Sequence, residues 1–425
     1  MTEERPWFGQ PRGLTVLFLT NMWEQFSYYG MRALLVYYMT KQLLMGQQHS
    51  SYIYGAYTAC AYFTPIVGGV IADRFLGKRW AVIIGASVMA LGHFMMTFES
   101  LFYFALAAIA LGNGLFLPSL PSQVGDLYKR DDPRRPWAFN VYYVGINIGG
   151  FLAPLICGTL GEVYGWHYGF GAAGIGMVAG LMIYLWGQRY LPPEQPRVTP
   201  EQKATREGFS RQTILLLLSI AIAVTVFRSA YEQVGNTVAL WADSGVDRAA
   251  GRFTIPMTWF QSLNPLFVMA MTPPLLAYWQ RRAQRDPHQA LVKRMALGAL
   301  IVGASYVLLA AVSALSGGHL ASWVWLVLFF AILTFGELFI LPTGLGLFAR
   351  LAPPHLGATT VAAWFLVIFT GSLSAGFVGT LWSRLPPAQF FTLLAVLAAT
   401  AAGLLLAISR HGDRSPSGTK RPILD

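Results

Sequence analysis

Charge is the scarcest property of this sequence. Asp, Glu, Lys and Arg make up only 12% of its 425 residues, against 55% hydrophobic. A water-soluble domain carries about 25% charged residues. The deficit excludes a soluble multidomain protein, because every surface element would need a polar face. Most long segments here are apolar on all sides, so their outer solvent is lipid. Cysteine is rarer still. Cys60 and Cys157 both fall inside apolar runs, so neither a disulfide framework nor thiol redox chemistry is expected. Histidine is sparse and scattered: His49, His93, His167, His288, His319, His355 and His411. None stands in an HExxH or paired spacing, and His93, alone within an apolar run, reads as packing. A metal centre, or a nucleophile with its base, therefore lacks the residues it needs. The segment Met1-Thr2-Glu3-Glu4-Arg5 has no basic region leading into a short apolar stretch, so no cleavable signal peptide is expected.

What is present is a series of apolar runs. A spanning helix needs about 20 mostly apolar residues. Such runs fall at roughly 13–40, 50–72, 80–97, 101–125, 138–160 and 169–190, and resume at roughly 212–240, 255–279, 293–315, 322–349, 358–381 and 388–408. The expected fold class is an all-α membrane protein with twelve transmembrane helices in two six-helix bundles. Residues 1–190 form the first bundle, 191–211 a linker, 212–409 the second bundle and 410–425 a tail. The linker carries the proline-rich, polar stretch LPPEQPRVTPEQKATREGFS, Leu191 to Ser210, too short and polar to hold further spans.

The net charge of +11 would suggest nucleic acid on a soluble protein. Here the cations cluster in alternate short loops: Arg74, Lys78 and Arg79; Lys129, Arg130, Arg134 and Arg135; Arg189, Arg197, Lys203, Arg206 and Arg211; Arg281, Arg282, Arg285, Lys293 and Arg294. The intervening loops hold only Lys41, Arg248, Arg252 and Arg384. The positive side is the cytoplasm, so both termini are expected inside, with the chain multi-pass in a plasma membrane of the bacterial inner-membrane type.

Ionisable residues inside spans are costly and point to function. In helix 1, NMWEQFSYYGMR places Asn21, Gln25, Tyr28 and Arg32 in one stripe at helical spacing, with Glu24 on its flank. Such a stripe faces either a cavity or a partner helix. Helix 7 carries Arg228, Glu232 and Gln233 in FRSAYEQVGN. Arg228 and Glu232 are four apart and either pair with each other or serve a site. Helix 10 carries Glu337 between Gly336 and Pro342, a flank that lets a helix bend and line a cavity. Asn147 and Asn264 are interior amides, which serve as helix–helix contacts or as ligand contacts. Tyr28, Tyr29, Tyr62, Tyr142, Tyr143, Trp259 and Trp364 also lie in spans, as anchors, packing or cavity walls.

These residues carry a resemblance. The chain resembles the proton-dependent oligopeptide transporters, a branch of the major facilitator superfamily, through nearly its whole length. WEQFSYYGMRALLVYYM resembles that family's ExxERFxYYGxR segment. GGVIADRFLGKR, Gly68 to Arg79, resembles the superfamily's helix 2–3 motif. FNVYYVGINIGGFLAPLICG followed by YGWHYGFGAAGIGM resembles the helix 5 signature, while QSLNPLF and GELFILPTGL resemble helices 8 and 10. The resemblance implies the major facilitator fold, alternating access, and transport of di- and tripeptides or peptide-like compounds with protons as co-substrate. It also implies a monomeric unit in a lipid bilayer with no cofactor and no metal. Arg32 matches the arginine for the peptide carboxylate. Asn147, Asn264 and Glu337 match the group that holds the peptide amine. Tyr28, Tyr29 and Tyr62 match pocket tyrosines, and Trp364 a pocket tryptophan. Glu232 resembles the helix 7 acid that pairs with the helix 1 arginine, and Glu24, Glu232 and Glu337 become the proton-coupling or gating candidates.

Three positions depart from that pattern. Asn21 stands where ExxER has its first glutamate, Gln25 where it has its basic residue, and Leu117 where a lysine precedes Pro118. Asn and Gln still hydrogen-bond, but Glu24 loses its neighbouring cation and Glu337 its lysine. Glu337 is accordingly expected to be neutral in the empty carrier, or to ionise only against a bound ammonium. A facilitator, an exchanger or an exporter of a peptide-like metabolite is the alternative reading, and a peptide sensor or an intramembrane enzyme the reading from another class. A channel would need continuous polar rings, which the scattered charges do not supply.

Overall fold

The computed structural model describes residues 9–129, 132–193, 211–285, 291–351 and 357–413. Twelve long helical segments run through them. The first six are α1 (Arg12–Tyr37), α2 (Gln47–Ile71), α3 (Lys78–Met95), α4 (Phe102–Asp126), α5 (Arg135–Ala153) and α6 (Trp166–Gly187). The segment α7 (Arg211–Tyr231) continues through a tight turn, Glu232–Gly235, into Thr237–Ser244. Then follow α8 (Leu263–Arg285), α9 (Leu291–Leu315), α10 (Val324–Leu351), α11 (Gly357–Gly379) and α12 (Pro387–Asp413).

Nine of these, among the described residues, are long and apolar enough to cross a membrane. The other three are α1, α3 and α8. In α1 the dip comes from the stripe of Asn21, Glu24, Gln25 and Arg32, the feature that singled the helix out in the sequence. The eighth span starts later than expected, at Leu263 rather than near 255. Pro256 is extended, and Met257–Ser262 winds as a tight 3-10 helix before α8 begins. The expected linker lies mostly outside the described residues, as do Arg197, Lys203 and Arg206. Its first residues are held by Arg79, whose Nη2 donates to the carbonyls of Leu191 at 3.1 Å and Pro192 at 2.7 Å. Residues 414–425 of the expected tail also lie outside the described set.

Packing divides the chain into two units: Met1–Met45 with Cys60–Thr199, and Gly46–Ala59 with Pro200–Asp425. The first half of α2, expected in the first bundle, thus packs with the second. Its polar groups explain why. Ser51 Oγ donates to Asn236 Oδ1 at 3.1 Å, Gln47 Nε2 donates to the Gly379 carbonyl at 2.9 Å, and the Tyr52 ring lies 4.6 Å from Phe377.

In the first unit, Leu14, Leu17, Val82, Met89, Phe116, Leu120, Tyr142 and Tyr184 form a core that joins α1, α3, α4, α5 and α6. Between α2 and α3 the chain turns at Gly77, whose φ of +82° is left-handed backbone that favours glycine. In the loop after α4, Arg134 holds the Asp132 carboxyl below the usual carboxylate range through paired hydrogen bonds.

Both units use one device to bring their third and fourth helices together. In the first, a Cβ on Gly85 would lie 2.7 Å from the Gly112 carbonyl oxygen, and one on Gly112 would lie 2.6 Å from that of Gly85. In the second, α9 and α10 repeat it: Gly298 to the Gly336 oxygen at 2.6 Å and Gly336 to the Gly298 oxygen at 2.7 Å. Small residues at such crossings let backbones touch, which drives helix association in lipid. The residue after each α4/α10 glycine then points to the second helix of its unit. Asn113 donates to the Ala61 carbonyl at 2.9 Å, and Glu337 meets Asn264 on α8. The repeat therefore positions Glu337. Gly336→Val is expected to cost about 1–3 kcal/mol by overpacking. It should lower the melting temperature in detergent and reduce transport together, with Gly346→Ala, which meets open space, as the neutral control.

Candidate functional site

In the first unit the polar stripe of α1 is turned inward. Asn21 and Glu24 are 1% exposed, and Gln25 and Tyr28 are buried, while Tyr29 and Arg32 are half-buried. Gln25 Nε2 donates to Glu24 Oε2 at 2.7 Å, and Asn21 Nδ2 donates to the Tyr142 carbonyl on α5 at 3.2 Å. Each of the two neutral replacements thus donates a hydrogen bond inside the protein. Glu24 Oε1 is buried with no hydrogen-bond partner among the described residues. Tyr28 and Tyr29 pack edge to face at 5.5 Å. Tyr62 is half-buried on α2, and Leu117 is half-buried on α4. Asn147 is buried, and its Nδ2 donates one turn back to the Tyr143 carbonyl at 2.9 Å.

The second unit gathers more. Asn264 Nδ2, on α8, donates to Glu337 Oε2 at 2.6 Å and lies 3.0 Å from Thr334 Oγ1 on α10. The Tyr231 hydroxyl, on α7, donates to the same carboxyl. One residue further on, Glu232 accepts from Arg228 Nη2, and the pair is buried. Arg228 Nη2 also donates to Ser372 Oγ on α11 at 3.3 Å. Gln233 is tied to backbone instead, to the Ser229 carbonyl at 3.1 Å and the Ala375 carbonyl at 2.8 Å. Val268 and Leu275 of α8 pack on Leu338 and Phe339 of α10, so the apolar seam flanking Glu337 holds Asn264 in reach. Trp364 is buried on α11 and packs on Phe348 at 5.1 Å.

Asn264, Glu337 and Glu232, singled out from sequence, therefore come together on three helices. Two findings were not foreseen. Tyr231, Thr334 and Ser372 complete the hydrogen bonding around the carboxylates. The available signals were position alone: Tyr231 adjoins Glu232, and Thr334 lies three residues before Glu337 on the same helix face. Glu337 also has a cation within electrostatic reach from a different helix, Arg228 on α7, a guanidinium that is itself ion-paired with Glu232. Among the described residues no three His, Cys, Asp or Glu side chains gather as metal ligands.

The arrangement pairs a carboxylate with an amide and a phenol on the second unit, and carries a half-buried guanidinium on the first. A carboxylate with neighbouring oxygen acceptors suits an ammonium. A planar guanidinium suits a carboxylate bidentately.

Known proteins share this frame. The model of the POT family matches residues 79–207 and 199–393. The transporter YclF of Bacillus subtilis is 31% identical over 98% of this chain and 97% of its own length. A di-/tripeptide transporter of Lactococcus lactis subsp. cremoris is 31% identical over 96% of this chain and 97% of its own. A POT family transporter solved in complex with 5-aminolevulinic acid is 26% identical, with a TM-score of 0.88 over 96% of this chain and 98% of that one. With its twelve helices, its inward-facing polar stripe and full-length relatives that are transporters, this multi-pass membrane protein belongs to the POT family.

Proposed function

We propose that the chain is a secondary active transporter of di- and tripeptides or peptide-like compounds, working by alternating access with protons as the coupled ion. The observation that carries this reading is the Glu337 cluster: a carboxyl inside a membrane span, held by Asn264 and Tyr231 from two other helices. A carboxyl at that depth is costly and gains most when it meets a cation. Glu337 takes the substrate amine with Asn264 and Asn147, Arg32 takes the substrate carboxylate, and Tyr28, Tyr29, Tyr62 and Trp364 form aromatic walls. Glu24, Glu232 and Glu337 are the groups that carry protons or gate the cycle. A relative bound to 5-aminolevulinic acid, which joins an amine and a carboxylate by a short chain, supports a site that reads two charged ends rather than a peptide bond.

The protein lies in a bacterial inner membrane as a monomer, with both termini in the cytoplasm, since the loops rich in Lys and Arg fall on that side. Reconstituted into liposomes, it is expected to accumulate a radiolabelled dipeptide above equilibrium only under an inward proton gradient. Equilibration that ignores the gradient would sink coupling and favour a facilitator or exchanger, while no uptake above empty liposomes would leave a sensor. A Glu337→Gln variant with the parent's pH dependence would remove Glu337 as the titrating group.

A further inference from the structure

The outer side of the first unit carries a pair of arginines that peptide transport does not call for. They lie where α1 begins and α6 ends. The Arg12 guanidinium carbon is 5.7 Å from the centre of the Tyr190 ring, and that of Arg189 is 4.8 Å from the same centre, both within the range of a cation–π contact. Two like charges thus share one aromatic ring. Both arginines are exposed, and no ion pair among the described residues involves either. The backbone fixes this corner. A Cβ on Gly13 would lie 2.7 Å from the Tyr190 carbonyl oxygen, and one on Gly187 would collide with Val16, so the first turn of α1 lies directly on the last turn of α6. Arg79 holds the carbonyls of the next two residues, Leu191 and Pro192, and so ties the segment that carries Tyr190 from the other side.

From this corner an apolar stripe runs along α6. Ile175, Val178, Met182, Leu185 and Trp186 are exposed and recur at three- and four-residue spacing, which puts them on one face. The stripe ends at Trp186, 71% exposed, one turn before Tyr190. Indole rings favour the level of lipid headgroups, which sets the two guanidiniums at the depth of a lipid phosphate. We propose that this corner binds the phosphodiester of an anionic phospholipid, whose acyl chains lie along the α6 stripe. Guanidinium suits phosphate through paired hydrogen bonds and keeps its charge throughout. Two cations around one phosphate leave positive charge over. An anionic headgroup is therefore accepted, whereas a zwitterionic one brings an ammonium that the arginines repel. Basic sites between spans that hold anionic headgroups work by this charge balance.

The test is native mass spectrometry of the purified full-length protein, titrated with equal amounts of phosphatidylglycerol and phosphatidylcholine of the same chain length. The parent is expected to hold phosphatidylglycerol about 20-fold more tightly. Arg12→Gln and Arg189→Gln should each lower that preference about five-fold, the effect of one basic group at a charged bilayer surface. The double variant should hold the two lipids within about two-fold of each other. A control variant, Lys129→Gln with Arg211→Gln, removes the same charge at two other exposed positions. It should stay within about two-fold of the parent, because charges beyond a screening length contribute little.

A parent without headgroup preference, or a double variant that keeps the parent's preference, overturns the proposal. So does a control that falls as far as the double variant, since the effect would then be one of net charge and not of a site. Inorganic phosphate is the last arm. If it displaces phosphatidylglycerol at millimolar concentration, the arginines bind a free anion and the lipid assignment falls; if phosphatidylglycerol stays bound, the chains along α6 contribute as proposed. Should the double variant fail to fold, as judged by size-exclusion profile, the single variants decide, and either one that keeps the parent's preference overturns the proposal.

Discussion

Glu337→Gln is expected to weaken binding of a free-amine dipeptide about 30- to 100-fold while leaving its N-acetylated analogue unchanged, as loss of one partner of a buried charge pair does. Glutamine keeps the shape of the side chain and can still accept from Asn264, whose Nδ2 lies 2.6 Å from Oε2. Only the charge is removed. The fold should not suffer, because a buried charge contributes little to stability and its neutral isostere is often tolerated as well. Binding of the two ligands by competition, with a melting temperature measured alongside, separates the outcomes. Equal loss for both ligands would mean that Glu337 shapes the site without reading the amine. A large fall in melting temperature would make it a structural group.

Arg32→Ala carries the second large effect. Arg32 is half-buried on α1, one turn beyond Tyr28, whose ring packs edge to face on Tyr29. A guanidinium binds a carboxylate through two parallel hydrogen bonds and keeps its charge at every working pH. Its removal should reduce dipeptide uptake into liposomes by about 100-fold, since truncating one partner of a desolvated pair costs about 2–5 kcal/mol. Arg32→Lys keeps the charge but loses the bidentate geometry, so an intermediate loss of about ten-fold is expected. The deciding comparison is a peptide acid against its C-terminal amide. The parent should prefer the acid and Arg32→Ala should not. A variant that still preferred the acid would put the carboxylate pole elsewhere.

Much of the fold was legible because lipid imposes a one-dimensional rule. A span must be long and apolar and must satisfy its backbone internally, so twelve runs could be read without knowing any contact. The same rule accounts for the dip of α1 below the others in apolarity. In α1 the polar residues are affordable only because they face protein, where Asn21 meets the Tyr142 carbonyl and Gln25 meets Glu24. Boundaries set by local chemistry were less legible. The start of α8 moved to Leu263 because the six residues after the extended Pro256, Met257–Ser262, wind as a tighter 3-10 helix. The assignment of residues 46–59 was invisible in the hydropathy, since it depends on which distant groups, Asn236 and Gly379, lie opposite Ser51 and Gln47.

The candidate site divides along the same line. That Glu24, Arg32, Glu232 and Glu337 stand inside spans, and that Asn21, Gln25 and Leu117 replace charged residues, was determined by the sequence alone, because an ionisable group in an apolar run is conspicuous whatever it touches. Which charge answers which was decided only by the tertiary structure. Loss of the helix 4 lysine suggested a carboxyl without a cation, yet α7 and α10 bring Arg228 within electrostatic reach of Glu337 across more than a hundred residues of chain. Coulomb interaction depends on separation in space and not along the sequence. The Tyr231 hydroxyl, which donates to Glu337 from the end of α7, ties the two helices together at that point.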